Sequence, residues 1–129
     1  MFSDPIADML TRVRNASRAQ LPNVTIPHSR LKEGIARILQ REGYVAETAV
    51  EGAARKSLRL TLKYQGRQPV IEGLRRLSTP GRRLFVPAGK IPRIRGGLGV
   101  IILSTSSGIM TGDEARKQNV GGELLCSIW

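Results

Sequence analysis

The chain is poor in acid, in cysteine and histidine, and in aromatic rings, and each shortage excludes something. Ten Asp and Glu stand against 21 Lys and Arg, a formal net charge of +11 over 129 residues. No acid at all lies between Glu72 and Asp113. Unpaired charge of that size costs a compact fold stability, so it implies a polyanionic partner. The single Cys126 excludes an internal disulfide and fits a reducing, cytosolic compartment; it reads as a small apolar core residue. The single histidine, His28, follows Pro27 and has no second imidazole for a catalytic pair or a metal cage. No nucleophile with a base and no ligand set for zinc can be assembled, so no enzyme, metal or cofactor is expected. No apolar run approaches the ~20 residues that span a bilayer. Asp4 and Asp8 spoil the start as a signal peptide, so no membrane partner is expected either.

What the chain does have is arginine, sixteen of the 21 bases. The planar guanidinium fork grips phosphates and stacks on bases, which suits structured nucleic acid better than lysine's point charge. Arg75, Arg76, Arg82, Arg83, Lys90, Arg93 and Arg95 all fall in the acid-free stretch. With no compensating acid they read as a nucleic-acid surface rather than an ordinary solvated face. Directly after the apolar run Val100-Ile101-Ile102-Leu103 comes Ser104-Thr105-Ser106-Ser107-Gly108. A buried strand that ends in four hydroxyls brings several small donors to one place, within reach of phosphate, ribose and base edges. Glycine there lets a partner's backbone come close. The plainer account is a turn held by local hydroxyl-to-backbone bonds; the position beside a basic loop favours the functional one. Phe85, among the cations, can stack on an unpaired base or a ribose, although taken alone it reads as core. Gly96-Gly97-Leu98-Gly99 precedes a strand, whereas a phosphate-binding glycine loop must follow one and open a helix.

The elements follow from pattern. Asp4 and Pro5 open a helix to about Ser17, with Ile6, Met9, Leu10 and Val13 on one stripe. Val24-Thr25-Ile26 is a short strand. Ser29 caps a second helix from Arg30 to about Glu42, with Leu31, Ile35, Ile38 and Leu39 inward and Gly43 in a left-handed stop. Tyr44–Val50 and Ser57–Tyr64 form a hairpin in which Leu58, Leu60 and Leu62 alternate with polar residues. Further on, one strand is expected from Pro69 to Leu77, a turn at Ser78–Gly81, and short strands and loops from Arg82 to Gly99. Val100–Ser104 reads as the central strand. Thr111 and Glu114 form a capping box for a short helix to Gln118. Glu123–Trp129 is a final strand with Leu124, Cys126 and Ile128 on one face. The expected fold is α+β in two packed lobes. Residues 1–64 form an α/β lobe, helix-strand-helix-strand-strand, and residues 65–129 a mostly antiparallel β lobe with one short helix.

Taken together the motifs resemble, from end to end, the bacterial ribosomal protein S8 family of the small subunit. The resemblance is carried by Asp4-Pro5-Ile6-Ala7-Asp8-Met9-Leu10-Thr11-Arg12, by Arg14-Asn15-Ala16 and by Ser78-x-Pro80-Gly81-Arg82. It continues in Gly97-Leu98-Gly99, Ser104-Thr105-Ser106-x-Gly108, Met110-Thr111, Glu114-Ala115-Arg116, and Gly121-Gly122-Glu123 before Leu125-Cys126. It implies direct binding to the central domain of the 16S ribosomal RNA early in assembly, neighbouring small-subunit proteins as partners, and a cytoplasmic, ribosomal place. It also implies a second role as translational repressor of the chain's own operon through a messenger hairpin. The main RNA contact implied is Ser104, Thr105, Ser106, Gly108, Gly121, Gly122 and Glu123, with Arg14, Asn15 and Arg30 as candidates in the N-terminal lobe. Arg82, Arg83 and Lys90 belong to the basic loop that neutralises phosphates. Three positions depart from the family pattern: Phe85 stands for a tyrosine, Ser107 for a lysine and Gly112 for an aspartate. Glu123 can only accept hydrogen bonds, so it meets base amino groups or ribose hydroxyls, or orients a neighbouring cation. The alternative from another class is an architectural DNA-binding protein, for which charge alone would serve.

Overall fold

The computed structural model describes residues 4–129. Its backbone divides into two compact units: Ala7–Glu72, and Gly73–Trp129 joined by Asp4–Ile6. The boundary expected between residues 64 and 65 falls within Ala7–Glu72.

In the first unit, α1 (Pro5–Arg18) is followed by β1 (Asn23–Pro27), α2 (Arg30–Arg41), β2 (Val45–Glu51) and β3 (Ser57–Leu62). A two-residue hairpin of β4 (Tyr64–Gln65) and β5 (Gln68–Pro69) ends it. β3 is the middle strand of an antiparallel sheet in the order β1-β3-β2. The stripe Ile6, Met9, Leu10 and Val13 of α1 is buried, as are Leu58, Leu60 and Leu62 of β3. Each such side chain contributes roughly 1.5–3 kcal/mol by leaving water. The Ser29 hydroxyl accepts from the Lys32 N–H and caps α2. Leu31, expected inward, is 37% exposed instead, and Lys32 takes the buried place. The stripe Ile35, Ala36, Ile38, Leu39 is centred one residue further round, and a lysine stem packs beside it as well as a leucine.

The second unit is built on its last strand. β6 (Leu74–Arg76), β7 (Phe85–Val86), β8 (Val100–Thr105) and β9 (Gly108–Thr111) precede α3 (Gly112–Gln118) and β10 (Gly122–Ile128). The sheet runs β6-β10-β8-β9, all antiparallel. One edge of β10 takes β8 along its length; the other takes β6 at Cys126–Ile128 and β7 at Gly122–Glu123. The strand expected from Pro69 to Leu77 is therefore broken. Only its ends pair, β5 to β4 and β6 to β10, and Val70–Gly73 crosses from one unit to the other. β10 also departs from simple alternation. A register shift between Leu124 and Cys126 sends Leu124 to the core with Leu103, Ile101, Ile91, Met110 and Ala115, while Cys126 and Ile128 pair with Ile102 and Val100. The three are not on one face, because a bulge moves every later side chain to the other side.

The capping box of α3 is present in both directions between Thr111 and Glu114. Gly112 is buried there, and a Cβ on it would stand 2.5 Å from the Ile101 Cγ2 methyl. Among the described residues, all three α-helices stop through a left-handed residue, Gln20 (φ 58), Gly43 (φ 83) and Asn119 (φ 55). In each, the next residue's N–H reaches back to a carbonyl five positions earlier: Leu21 to Ala16, Tyr44 to Leu39, Val120 to Ala115.

Candidate nucleic-acid interface

The register of β10 brings three of the candidate residues abreast. Glu123 pairs with Phe85 of β7 on one side and with Ser104 of β8 on the other. Residues directly opposite one another in a sheet project from the same face, so Phe85, Glu123 and Ser104 form one row. Phe85 is 69% exposed, which overturns its core reading and leaves a ring open to solvent.

Gly121 and Gly122 make this row possible. A Cβ on Gly121 would stand 2.3 Å from the Val86 carbonyl oxygen, and one on Gly122 only 2.2 Å from that of Ser104. The glycines let β10 run tightly between β7 and β8, and neither requires a positive φ to do so. Their part in the site is close approach of backbone to backbone.

Glu123 is held from within. Ser78 Oγ donates to its Oε2 at 2.5 Å, and Arg83 Nη1 donates to both oxygens at 3.3 and 3.2 Å. The Ser78 hydroxyl is fully buried and also accepts the Leu84 N–H at 3.0 Å. The Glu123 side chain is only 12% exposed against 56% for Arg83, so the acid orients the base, one of the options its chemistry allowed. Ser78 is the residue that sequence reasoning assigned only to a turn. Its buried position was not visible, because the turn residues beside it, Thr79, Pro80 and Gly81, mark a surface loop.

The hydroxyl run is a turn between β8 and β9. Thr105 Oγ1 donates to the Gly108 carbonyl at 2.9 Å and accepts the Ser107 N–H at 3.1 Å, so its hydroxyl serves the turn. Gly108, the first residue of β9, sits at φ 109, a backbone conformation that glycine adopts without penalty. Ser106 and Ser107 form the exposed tip, and no hydrogen bond among the described residues engages their hydroxyls or that of Ser104. β9 itself was not expected; the short segment Ile109–Thr111 carries too little pattern to announce a strand.

Charge around the row is one-sided. In the second unit Glu123 is bonded to Ser78 and Arg83, Asp113 to Arg116, and Glu114 to the cap of α3. Arg76 pairs with Asp4 and donates to the Leu125 carbonyl. Arg82 and Lys90 are exposed, and no carboxylate pairs with them among the described residues. Arg14 and Asn15 lie on α1 and Arg30 opens α2, all in the other unit; Asn15 and Arg30 are exposed. His28 does have a local partner, with Nε2 and Glu33 Oε1 2.7 Å apart, a brace on the first turn of α2. Burial pushes the Cys126 thiol up to about 12, the environment of an inert core residue. Among the described residues no cluster of His, Cys, Asp and Glu could hold a metal ion, and no helix is long and apolar enough to cross a membrane.

One end of the sheet thus carries an exposed ring, a guanidinium held by Glu123 and open serine hydroxyls. The profile of the family described as Ribosomal protein S8 matches residues 4–129. The chain is 57% identical to small ribosomal subunit protein uS8 of Desulfovibrio desulfuricans over 129 residues, 100% of both chains. It is 51% identical to the protein of that name from Mesoplasma florum over the same span. To that of Dictyoglomus thermophilum it is 54% identical over 128 residues, 98% of each chain. The chain belongs to the ribosomal protein S8 family, whose members are structural, non-catalytic proteins of the ribosome.

Proposed function

We propose that this chain binds the central domain of the 16S ribosomal RNA directly and early in assembly of the small subunit, beside neighbouring ribosomal proteins. In the same reading, that surface binds a hairpin in the message of its own operon and represses its translation. The observation that carries the reading is the row Phe85–Glu123–Ser104 with the open turn Ser106–Ser107 beside it. Arg82 and Lys90 neutralise phosphates as the RNA approaches. Phe85 offers a face for an unstacked base or ribose, Glu123 holds the Arg83 fork in place, and the serine hydroxyls bond at short range. Such a set suits an irregular, non-helical feature, since side chains cannot read the deep groove of regular A-form RNA. Phe85 keeps the stacking of the family's tyrosine without its hydroxyl, and Ser107 gives up the charge of a lysine. Arg14, Asn15 and Arg30 add contacts from the N-terminal unit. The architectural DNA-binding alternative has only the net charge in its favour, and the family match does not support it.

Ser106→Ala tests the reading. It removes one neutral hydrogen bond worth ~0.5–1.5 kcal/mol, a loss of roughly threefold to tenfold in affinity. The loss is expected on the specific rRNA fragment and on a matching operon hairpin, and hardly at all on random RNA, with the melting temperature unchanged. Equal weakening on specific and random RNA would make the turn purely structural.

A further inference from the structure

We propose that a cleft at the far end of β10 is a second RNA site, one that takes backbone phosphates without reading sequence. It is lined by Arg75, Arg93, Arg95, Ser127 and Trp129, with Leu77 and Ile94 as its apolar wall, and has a volume of ≈ 350 Å³. Arg75 and Ser127 face each other across the β6–β10 pair and so project from one face. Arg93 and Arg95 arrive from the loop that leads into β8. Ser127 lies four positions beyond Glu123 on β10, roughly 13 Å at ~3.3 Å per residue, so the cleft is separate from the row.

Three observations point to phosphate. The first is that Arg75, Arg93 and Arg95 pair with no carboxylate among the described residues, and no acidic side chain lines the cleft. Arg76, next in sequence, is by contrast paired with Asp4. The second is the state of Trp129. A Cβ on Gly73 would stand 2.2 Å from the indole Cε2 and Cζ2, and the Arg95 guanidinium carbon sits 5.1 Å from the ring centroid. The ring is already engaged inside the protein, so the cleft offers guanidinium donors rather than a stacking face. The third is Arg95 itself, held at φ 52 with its charge over the ring; a cation placed on an aromatic face keeps its N–H edge for an oxyanion. Three arginines on one lining, with no acidic or amide side chain there to read a base, suit backbone phosphates, contacts that position RNA without specifying it.

The identity of the polyanion rests on the RNA-binding reading above. Trp129 is the only tryptophan in the chain, so its emission reports the cleft directly. The full chain is titrated with a central-domain rRNA fragment and with random RNA, while total binding is followed by gel mobility. Wild-type emission is expected to change saturably with either RNA. The double variant Arg75→Gln, Arg93→Gln is expected to lose that change, to bind both RNAs more weakly by the same factor, and to lower the slope of log affinity against log salt by about 2. A wild-type slope and emission change in the double variant would overturn the proposal. So would an emission change produced by inorganic phosphate alone at constant ionic strength, which would assign the cleft to a free anion. If wild-type protein shows no preference for the rRNA fragment, the reading of the row fails, and the slope measured on random RNA still decides the cleft.

Discussion

Replacing Ser78 with alanine deletes one oxygen and leaves two groups without their bond. The hydroxyl is fully buried; it donates to the Glu123 carboxylate at 2.5 Å and accepts the Leu84 N–H at 3.0 Å. A hydrogen bond to a charged group is worth ~1.5–3 kcal/mol and a neutral one ~0.5–1.5. Glu123 keeps Arg83 as a partner, which offsets part of the loss, so the expected destabilisation is about 2–3 kcal/mol. Unfolding entropy near ~2.1 cal/mol/K per residue gives about 0.27 kcal/mol/K for a chain of 129 residues. The melting temperature should therefore fall by roughly 7–11 °C. Urea unfolding measures the energy, and Thr79→Ala is the control. That hydroxyl also accepts a backbone N–H, from Arg82 at 3.1 Å, but in an exposed turn, and its loss should cost no more than ~1 kcal/mol. In RNA binding, Ser78→Ala should weaken the specific complex severalfold, because Glu123 no longer fixes Arg83, and leave random RNA untouched. A urea-derived loss below about 0.5 kcal/mol would refute the bonded network; equal losses on both RNAs would refute its link to recognition.

Gly122→Ala places a Cβ 2.2 Å from the Ser104 carbonyl oxygen, which must push β8 from β10 at a cost of about 1–3 kcal/mol; unchanged stability in urea would show that the approach is not tight. The hydrogen bond from His28 comes first among the causes that hold the Glu33 carboxyl below its ordinary value of 4.5. A folded value below the unfolded one means the contribution to stability is present above 4.5 and is lost as pH falls through the depressed folded value. NMR titration should place the Glu33 midpoint below 4.5 and His28→Ala should move it up, whereas an unmoved midpoint would remove His28 as the cause. Cys126, fully buried and with its thiol raised to about 12, should resist alkylation at pH near ~8 in the native state and react only at the rate of unfolding; prompt modification of the native chain would contradict its burial.

Elements whose signals are local were legible from sequence, and those set by tertiary register were not. The apolar stripe of α1, the alternation of Leu58, Leu60 and Leu62, the Ser29 cap and the Thr111–Glu114 box are all written within four or five residues, and each appears as expected. Gly43 announced its left-handed stop; Asn119 and Gln20 take the same conformation, which the sequence reading had not assigned to them. The broken strand before β6 was missed because Val70, Ile71 and Leu74 are apolar enough for a strand, yet only Leu74–Arg76 finds a partner edge on β10. The bulge in β10 was missed for a related reason. Alternation in Leu124, Cys126 and Ile128 looks perfect on paper, and the break comes from pairing with β8.

The candidate site shows the same division, and it separates residues that build the surface from those that face outward. Gly121, Gly122, Ser78 and the Thr105 hydroxyl are consumed inside the protein, by close approach or by hydrogen bonds. Phe85, Ser106, Ser107, Arg82 and Lys90 are the groups left over. Sequence motifs name Gly121, Gly122 and Thr105 together with the outward groups, and Ser78 only within a turn. Only the geometry sorts them, and it does so by asking which donors and charges are already spent. By that measure the +11 charge is unevenly available. Arg76, Arg83 and Arg116 are answered by Asp4, Glu123 and Asp113, whereas Arg75, Arg82, Lys90, Arg93 and Arg95 are answered by no carboxylate among the described residues. Cations left so without carboxylate partners are what an extended polyanion can answer. A ligand that met the row alone would leave the Arg75–Arg93–Arg95 cleft as uncompensated repulsion in the complex as well as in the free protein.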